Sequence, residues 1–246
     1  MTLALAVEPA VWRGDITKTG VLPADAGTWW SISASRPDNA PISAIVIAPD
    51  FAKCRMELVT GTGDHPRADD DALALAGTLA VLNAGYFTSD HRTVGWQATA
   101  GSTAGEVDDG LACTGFAWIT TNGALRLTRR SDGTPTDAQW GIQAGPFLID
   151  PGGTDGINRE GGPSARRSVI ALTTDGQPVL IAIADPLTLS ATADLLLVLP
   201  TIVPLSPCAA ALNLDGGPST TLAIPSANIH LPARGAVITA WRVVAR

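Results

Sequence analysis

The chain has 246 residues, of which 46% are hydrophobic, 5% aromatic and 16% charged. With 25 glycines and 18 prolines, this composition favours a compact fold of short elements joined by many turns, and it argues against a disordered chain or a helical bundle. The formal charge of -7 argues against a broad nucleic-acid-binding surface, because phosphate recognition of that kind depends on clustered Lys and Arg.

The first half of the chain predicts an early sheet, then a helix and a buried strand. Three short β-branched or alternating runs end in Pro, Asp or Gly, as strands do: SISAS, PISAIVIAP and CRMELVTG. The acids of RADDDALALAG suit a helix amino end, so a helix is predicted from about Asp69 to Gly77. The apolar run TLAVL that follows predicts a buried strand that stops at Asn83.

The second half predicts hairpins and further strands. TTNGAL and TTDGQP each place a turn dipeptide between apolar runs, which is the strongest short hairpin signal. A helix is predicted from Ser190 to Leu199, with Ser190 as its cap. Strands are predicted at GIQAGPFLID, RSVIALTTDGQPVLIAIAD and AVITAWRVVA. Because no repeat, low-complexity linker or charge block divides the chain, we expect a single α+β domain dominated by sheet.

Neither a membrane span nor a metal site is predicted. The apolar window from Leu195 to Leu212 contains three prolines, which would remove helix hydrogen bonds that lipid cannot replace. The amino terminus lacks the basic and apolar regions of an intact secretory signal. Cys54, Cys113 and Cys208 are scattered and the histidines lack zinc-ligand spacing, so we favour buried free cysteines and expect neither a metal nor a cofactor. Nothing in the residues specifies an oligomeric state.

Polar residues follow several apolar strands, where a rigid scaffold can hold binding groups. Asn83 and Asn213 each end such a strand, and each could cap its own turn or bind a ligand. Asp215 precedes Gly216 and Gly217, so its carboxylate could exchange a proton beside a loop that approaches an anion closely. A tight turn that begins at Asp215 is an equal alternative at this point.

Five segments taken in order resemble the motifs of the phosphodiester glycosidase family: NAGYF, VGW, QAGPFLI, ARRSVIAL and ALNLDGGPSTTL. The resemblance spans about residues 44–246, which it marks as the family domain, with residues 1–43 as amino-terminal strands or an extension of the same domain. It implies a twisted, largely antiparallel or mixed β-sheet with a few packed helices. It also implies an extracytoplasmic, periplasmic or secreted location.

The resemblance implies one cleft and a chemistry. It places these residues in or beside the cleft: Asn83, Gly145, Arg167, Ser168, Asn213, Asp215, Gly216, Gly217 and Ser219. The implied reaction is hydrolysis of a sugar-1-phosphodiester with an N-acetylhexosamine-type or cell-envelope glycan, with Asp215 as acid/base or nucleophile. Arg167 would bind phosphate, because a guanidinium fork matches phosphate geometry, and Arg166 would be the surface member of the pair.

A second carboxylate is expected, because glycosidic cleavage generally uses two. Asp185, at a predicted strand end, is the first candidate, and the weaker ones are Asp90, Asp150 and Glu160. The sequence departs from the family pattern at Pro218, where the family has a glycine, and at Thr88, where an acid is usual.

Two other function classes remain open at this point. One is a non-catalytic carbohydrate- or cell-envelope-binding module of the same fold, in which exposed tryptophans stack on sugar rings. Its candidate tryptophans are Trp29, Trp30, Trp96 and Trp140. The other is a metal-dependent phosphodiesterase, which no dense acidic or histidine cluster demands.

Overall fold

The structure is a computed structural model that describes residues 12–36, 40–62, 64–157 and 162–246. Two helices lie in the described ranges: α1 (Ala68–Ala74) and α2 (Leu189–Val198). The strands before α2 are β1 (Arg13–Val21), β2 (Gly27–Ser35), β3 (Ile42–Pro49), β4 (Cys54–Thr60), β5 (Thr78–Asn83), β6 (Gln97–Thr99), β7 (Ser102–Ala104), β8 (Gly115–Thr120), β9 (Leu125–Arg129), β10 (Ala138–Ala144), β11 (Phe147–Asp150), β12 (Thr154–Asp155), β13 (Ala165–Thr173) and β14 (Pro178–Leu187). Those after it are β15 (Cys208–Asn213), β16 (Leu222–Ile224), β17 (Ile229–Leu231) and β18 (Thr239–Ala245).

The strands of the described residues form three antiparallel sheets. The large sheet has eight strands in the order β1-β2-β3-β14-β13-β15-β11-β12. The β8 sheet has the order β7-β6-β10-β8-β9, and the β5 sheet has the order β17-β16-β5-β18-β4. These sheets and the two short helices confirm the expected β-rich, largely antiparallel fold with few helices. The expected boundary between residues 43 and 44 falls inside β3.

The central strands of the large sheet are buried on both faces, whereas the edge strand β1 is mostly exposed. On one face, residues such as Ile170 and Leu212 pack against the β5 sheet through Leu82 and Trp241 and against the β8 sheet through Ile142. On the other face, residues of β13 and β14 pack against α2. This double burial explains why β13 and β14 read as nearly continuous apolar runs rather than as alternating ones.

Two predicted elements have different ends in the structure. The first helix ends at Ala74 rather than Gly77, because Leu75 has an extended backbone and Gly77, at φ 77°, turns the chain into β5. The second helix is capped by Thr188 rather than Ser190, since the Thr188 hydroxyl accepts a hydrogen bond from the Ala191 amide at 3.1 Å. Both predicted hairpins are present, as β8 with β9 and β13 with β14.

The segment GIQAGPFLID is not one strand, as the sequence predicted. It divides into β10, in the β8 sheet, and β11, in the large sheet. The break falls at Gly145, which has a φ of 144°, and at Pro146, which has no amide hydrogen to donate to a ladder. A cis peptide bond joins the two residues. The chain thus changes sheets beside the end of β15.

Candidate active site

The candidate site lies where β5 and β15 end beside the start of β13. Asn83 and Asn213 are the last residues of their strands, and Asn213 pairs with Val169 of β13. The Asp215 amide donates a hydrogen bond to the Ala84 carbonyl at 3.0 Å, and Asn83 Nδ2 donates one to the Asp215 carbonyl at 2.7 Å. These two bonds fix the Asp215 backbone to the chain that leaves β5.

Asp215 has the electrostatics of an acid–base group. Burial raises the pKa of its carboxyl to about 6, while hydrogen bonds from the Ser219 side chain and the Gly216 amide oppose that rise. The Gly216 amide lies 2.9 Å from Asp215 Oδ1. A carboxyl whose pKa lies this close to neutrality can both hold and release a proton at ordinary pH, which suits proton transfer in catalysis.

The two glycines after Asp215 are required by the backbone. A Cβ on Gly216 would lie 2.8 Å from the Arg166 carbonyl oxygen, so a side chain there would push the loop away from β13. Gly217 has a φ of 58° and begins the short 3-10 turn Gly217–Ser219. The glycines therefore hold the Asp215 loop tightly against the start of β13.

Asn83 is a buried hydrogen-bonding hub behind Asp215. Its Oδ1 accepts from the Ser168 hydroxyl at 2.6 Å and from the Thr221 amide at 3.1 Å, while its Nδ2 donates to the Asp215 carbonyl. Asn83 is 1% exposed and Ser168 is fully buried. Both side chains thus hold the Asp215 loop to β13, rather than standing open to a ligand.

A second hub joins Asn213, Tyr86 and Gly145. Asn213 Nδ2 donates to the Tyr86 hydroxyl at 2.8 Å, to the Gly145 carbonyl at 3.1 Å and to the Leu214 carbonyl at 2.7 Å. The Tyr86 hydroxyl in turn donates to the Gly145 carbonyl in a short bond. Burial, and next the charge of Asp215, raise the pKa of Tyr86 well above its usual value, so its hydroxyl remains a donor.

Two buried oxygen atoms at the site have no hydrogen-bond partner among the described residues. They are Oδ1 of Asn213 and the hydroxyl oxygen of Thr220. Buried polar atoms are normally satisfied by protein or by ordered water. Their lack of protein partners fits a place where water or a ligand group completes the network.

Tyr86 is a site residue that the sequence reasoning missed. The NAGYF motif predicts a site position for Asn83 but not for the tyrosine. The signal was available, because Tyr86 is the chain's only tyrosine and follows the β5 end by three residues. Its charge interactions with both Asp215 and Arg167 link the two predicted groups electrostatically.

Arg167 lies on the opposite face of β13 from Ser168. Its Nε donates to the Leu187 carbonyl at 2.8 Å, and its Nη2 donates to the Pro163 carbonyl at 2.7 Å. Burial lowers the pKa of Arg167, whereas the nearby Tyr86 raises it. Two of the three guanidinium nitrogens therefore donate hydrogen bonds to backbone carbonyls, and the positive charge of Arg167 lies near Tyr86.

Arg166 is buried, so the prediction that it is the surface member of the pair is wrong. It is 5% exposed, and Nη1 and Nη2 both donate to the Pro232 carbonyl at 3.1 Å. Arg166 thus reaches a different loop from Arg167, whose guanidinium contacts the Leu187 and Pro163 carbonyls. The Arg166 carbonyl lies close to Gly216, so the start of β13 packs directly against the Asp215 loop.

The candidate second carboxylates make contacts elsewhere. Asp185 Oδ2 accepts from the Ser43 amide at 2.7 Å and lines a hollow with Trp12 and Arg36. Asp90 is exposed and paired with Arg92, and Asp150 is paired with Arg129. Glu160 lies outside the described residues. Described contacts thus tie Asn83, Gly145, Ser168, Asn213, Gly216 and Ser219 to the Asp215 loop, while those of Asp185 are with β3.

The tryptophans are mostly part of the core. Six of the seven are buried, Trp29, Trp30 and Trp96 among them, and Trp140 is half-buried. The three cysteines are free, and Cys54 and Cys113 are buried as expected. Among residues 12–36, 40–62, 64–157 and 162–246, no three His, Cys, Asp or Glu side chains converge as a metal site would require.

Comparisons with known proteins point to one family. A sequence model described as phosphodiester glycosidase matches residues 76–244, which is more than half of the chain. The catalytic domain of zebrafish N-acetylglucosamine-1-phosphodiester alpha-N-acetylglucosaminidase, auto-inhibited by its pro-peptide, is 14% identical with a TM-score of 0.61. That match covers 98% of this chain and 86% of the zebrafish chain.

A hypothetical protein from Synechocystis has the same fold. It is 16% identical with a TM-score of 0.61, and the match covers 90% of this chain. The chain spans 62% of the length of the Synechocystis protein. No curated protein sequence matches the chain.

Proposed function

This chain belongs to the phosphodiester glycosidase family, and we therefore propose that it hydrolyses the glycosidic bond of a sugar-1-phosphodiester. The observation that carries this proposal is the Asp215 carboxyl. It lies in a glycine loop bound to the Asn83 hub, and its pKa is raised to about 6. The proposed sugar is an N-acetylhexosamine type or part of a cell-envelope glycan.

The proposed reaction breaks the bond between the anomeric carbon and the phosphate oxygen. Water adds to the anomeric carbon and gives up a proton, and the phosphate leaves with the electron pair of the broken bond. Such reactions pass through an oxocarbenium-like transition state. A phosphate monoester is a weakly basic leaving group, so it needs charge stabilisation more than full protonation. The reaction then also requires a base or a nucleophile, and ionised Asp215 can act as either.

In this proposal, Arg167 supplies the charge stabilisation. Arg167 carries its charge near Tyr86, and a guanidinium in a partly dry site interacts with phosphate more strongly than in water. The hydrogen bond between Asn213 and Tyr86 holds the end of β15 to the chain that leaves β5. In this proposal, Asn83 and Ser168 position the Asp215 loop, and Asp185 is a weaker candidate for the second carboxylate because its described contacts are with β3.

The pH profile of turnover tests the role of Asp215. If the ionised carboxylate reacts, kcat/KM falls about tenfold for each unit of pH below about 6 and levels above it. The assay measures release of free sugar from a synthetic sugar-1-phosphodiester between pH 4 and pH 9. A loss of rate on the alkaline side near pH 6 would instead identify Asp215 as a general acid, and no release at any pH would contradict the proposed activity.

The second candidate is a non-catalytic carbohydrate-binding module of the same fold. Its support was the departures from the family pattern at Pro218 and Thr88, together with tryptophans that could stack on sugar rings. The burial of six of the seven tryptophans removes most of that stacking surface. Sugar-phosphate binding without turnover in the same assay would favour the module. The buried carboxyl of raised pKa favours the hydrolase, because a binding module has no use for a costly desolvated acid.

We also propose an extracytoplasmic location, which rests on the family resemblance. No helix of the described residues is long and apolar enough to cross a membrane. Recovery of the natural protein in the cytosolic fraction of its own cells would contradict this location.

A further inference from the structure

Three arginines near the Asp215 loop have no acidic partner among the described residues. They are Arg166, Arg167 and Arg234, and none of the ion pairs formed in the described part of the chain includes them. Arg167 uses two nitrogens on backbone carbonyls of one neighbouring segment. Arg166 instead reaches the Pro232 carbonyl, two residues before Arg234.

Arg166 is a buried cation with an unsatisfied donor. Its Nη atoms share one acceptor, the Pro232 carbonyl, and its Nε is buried with no hydrogen-bond partner. A buried charge normally has a counter-ion or a full set of hydrogen bonds, because transfer out of water is costly. This imbalance calls for an anionic partner that the described residues do not provide.

Arg234 brings a second positive charge to the same place. After burial, the charge of Arg234 is the next cause that lowers the pKa of Arg166, as expected for a second cation that lies near it. Arg234 is exposed, whereas its backbone amide donates to the Pro218 carbonyl at 2.6 Å. The Gly235 amide donates to the same carbonyl at 3.1 Å. These bonds fasten the Arg234 turn directly to the loop that follows Asp215.

We propose that Arg166 and Arg234 bind a phosphoryl group beside Gly216–Pro218. One anion between two guanidinium groups would remove their repulsion and satisfy Nε of Arg166, and guanidinium forks match phosphoryl oxygens in geometry and charge. Assigning this phosphoryl group to the substrate rests on the proposed function, and it would give Arg166 and Arg234 the phosphate contact that the proposed function gives to Arg167. The existence of the anion site itself does not.

Pro218 gains a role from this arrangement. A proline has no amide hydrogen that could bind an anion. Where the family has a glycine, this chain therefore lacks one backbone donor. Its carbonyl instead anchors the Arg234 turn through two hydrogen bonds. A Cβ on Gly235 would lie 2.9 Å from Pro218 Cβ, so the two segments pack closely. In this chain, an arginine side chain replaces a backbone amide as the donor to the anion.

Titration of the protein with inorganic phosphate at low ionic strength tests the site. We expect Arg234→Ala to weaken phosphate binding at least about tenfold, the loss that follows when one of two guanidinium contacts is removed. Arg166→Met should weaken it similarly. The matched control is Arg126→Ala, which removes an exposed arginine of β9 and should bind phosphate like the unaltered protein. Arg234→Ala remains decisive if Arg166→Met does not fold, because Arg234 is exposed.

The outcomes separate this site from the proposed activity. Equal phosphate binding by Arg234→Ala and Arg126→Ala, or no phosphate binding by the unaltered protein, would overturn the site. Weakened binding in Arg234→Ala without any phosphodiester turnover by the unaltered protein would keep the site and reject the proposed reaction. If the protein has both the phosphate site and phosphodiester turnover, Arg234→Ala should raise KM for the phosphodiester far more than for a sugar with an uncharged leaving group.

Discussion

Asp215→Asn is expected to abolish sugar release and also to stabilise the folded protein at neutral pH. The first effect follows because an amide can neither accept the proton of water nor attack carbon. General acid–base groups typically contribute at least about 100-fold to rate, so kcat should fall by that factor or more. The second effect follows because the amide removes a charge that the fold desolvates, while it keeps an oxygen that can accept from the Gly216 amide.

The sign and pH window of the stability change follow from the raised pKa. The carboxyl has a pKa of about 6 in the folded protein and an ordinary value of 3.8, so folding disfavours its ionised form. Well below pH 3.8 the group is protonated in both states and imposes no penalty. The penalty grows between those pKa values and is complete above about pH 6, where it is on the order of 3 kcal/mol. The gain from Asp215→Asn should therefore be present at pH 8 and nearly absent at pH 3.5.

Urea denaturation at both pH values measures this difference, and Asp109→Asn is the matched control. Asp109 is an exposed carboxylate, 95% accessible, so the same change there should alter neither stability nor turnover. Turnover by Asp215→Asn comparable to that of the control would reject Asp215 as the reacting group. Loss of turnover together with a loss of stability at pH 8 would show that the carboxylate is a structural ion.

The sequence predicted the site's backbone better than its side-chain environment. The resemblance to the phosphodiester glycosidase family predicted that Asn83, Asn213 and the glycine loop meet in one cleft, while the strand ends and turn glycines themselves could be predicted from the residues. The structure joins them through direct hydrogen bonds between Asn83 and the Asp215 loop. Strand ends and turn glycines depend on local backbone rules, which a sequence displays directly.

The directions of the side chains at the start of β13 could not be predicted from the sequence. Adjacent arginines look alike in a chain, and which one faces which loop depends on the register of β13 against β14, where a bulge falls between Ala165 and Arg167. Burial of both, against carbonyls of Pro232, Leu187 and Pro163, depends on loops distant in sequence. The division of GIQAGPFLID between two sheets likewise depends on tertiary packing, since its apolar pattern suits either sheet.

Asn83→Ala should cause the largest loss of stability among these variants. It leaves three buried groups without their partner: the Ser168 hydroxyl, the Thr221 amide and the Asp215 carbonyl. Each unsatisfied buried group costs about 1 to 3 kcal/mol, so we expect the free energy of unfolding to fall by about 3 kcal/mol or more. Because the Asp215 loop also loses its anchor, turnover should fall even at temperatures where the variant remains folded.

Ser168→Ala separates this hub from a general effect of mutating the core. It removes one donor to Asn83 Oδ1, which still accepts from the Thr221 amide, so the expected loss is about 1 kcal/mol. Sugar release by Ser168→Ala should remain close to that of the unaltered protein, since Asn83 still holds the Asp215 carbonyl. Equal stability losses in the two variants would contradict the hub, because only Asn83 joins all three groups. Normal turnover by folded Asn83→Ala would show that the Asp215 loop keeps its position without this anchor.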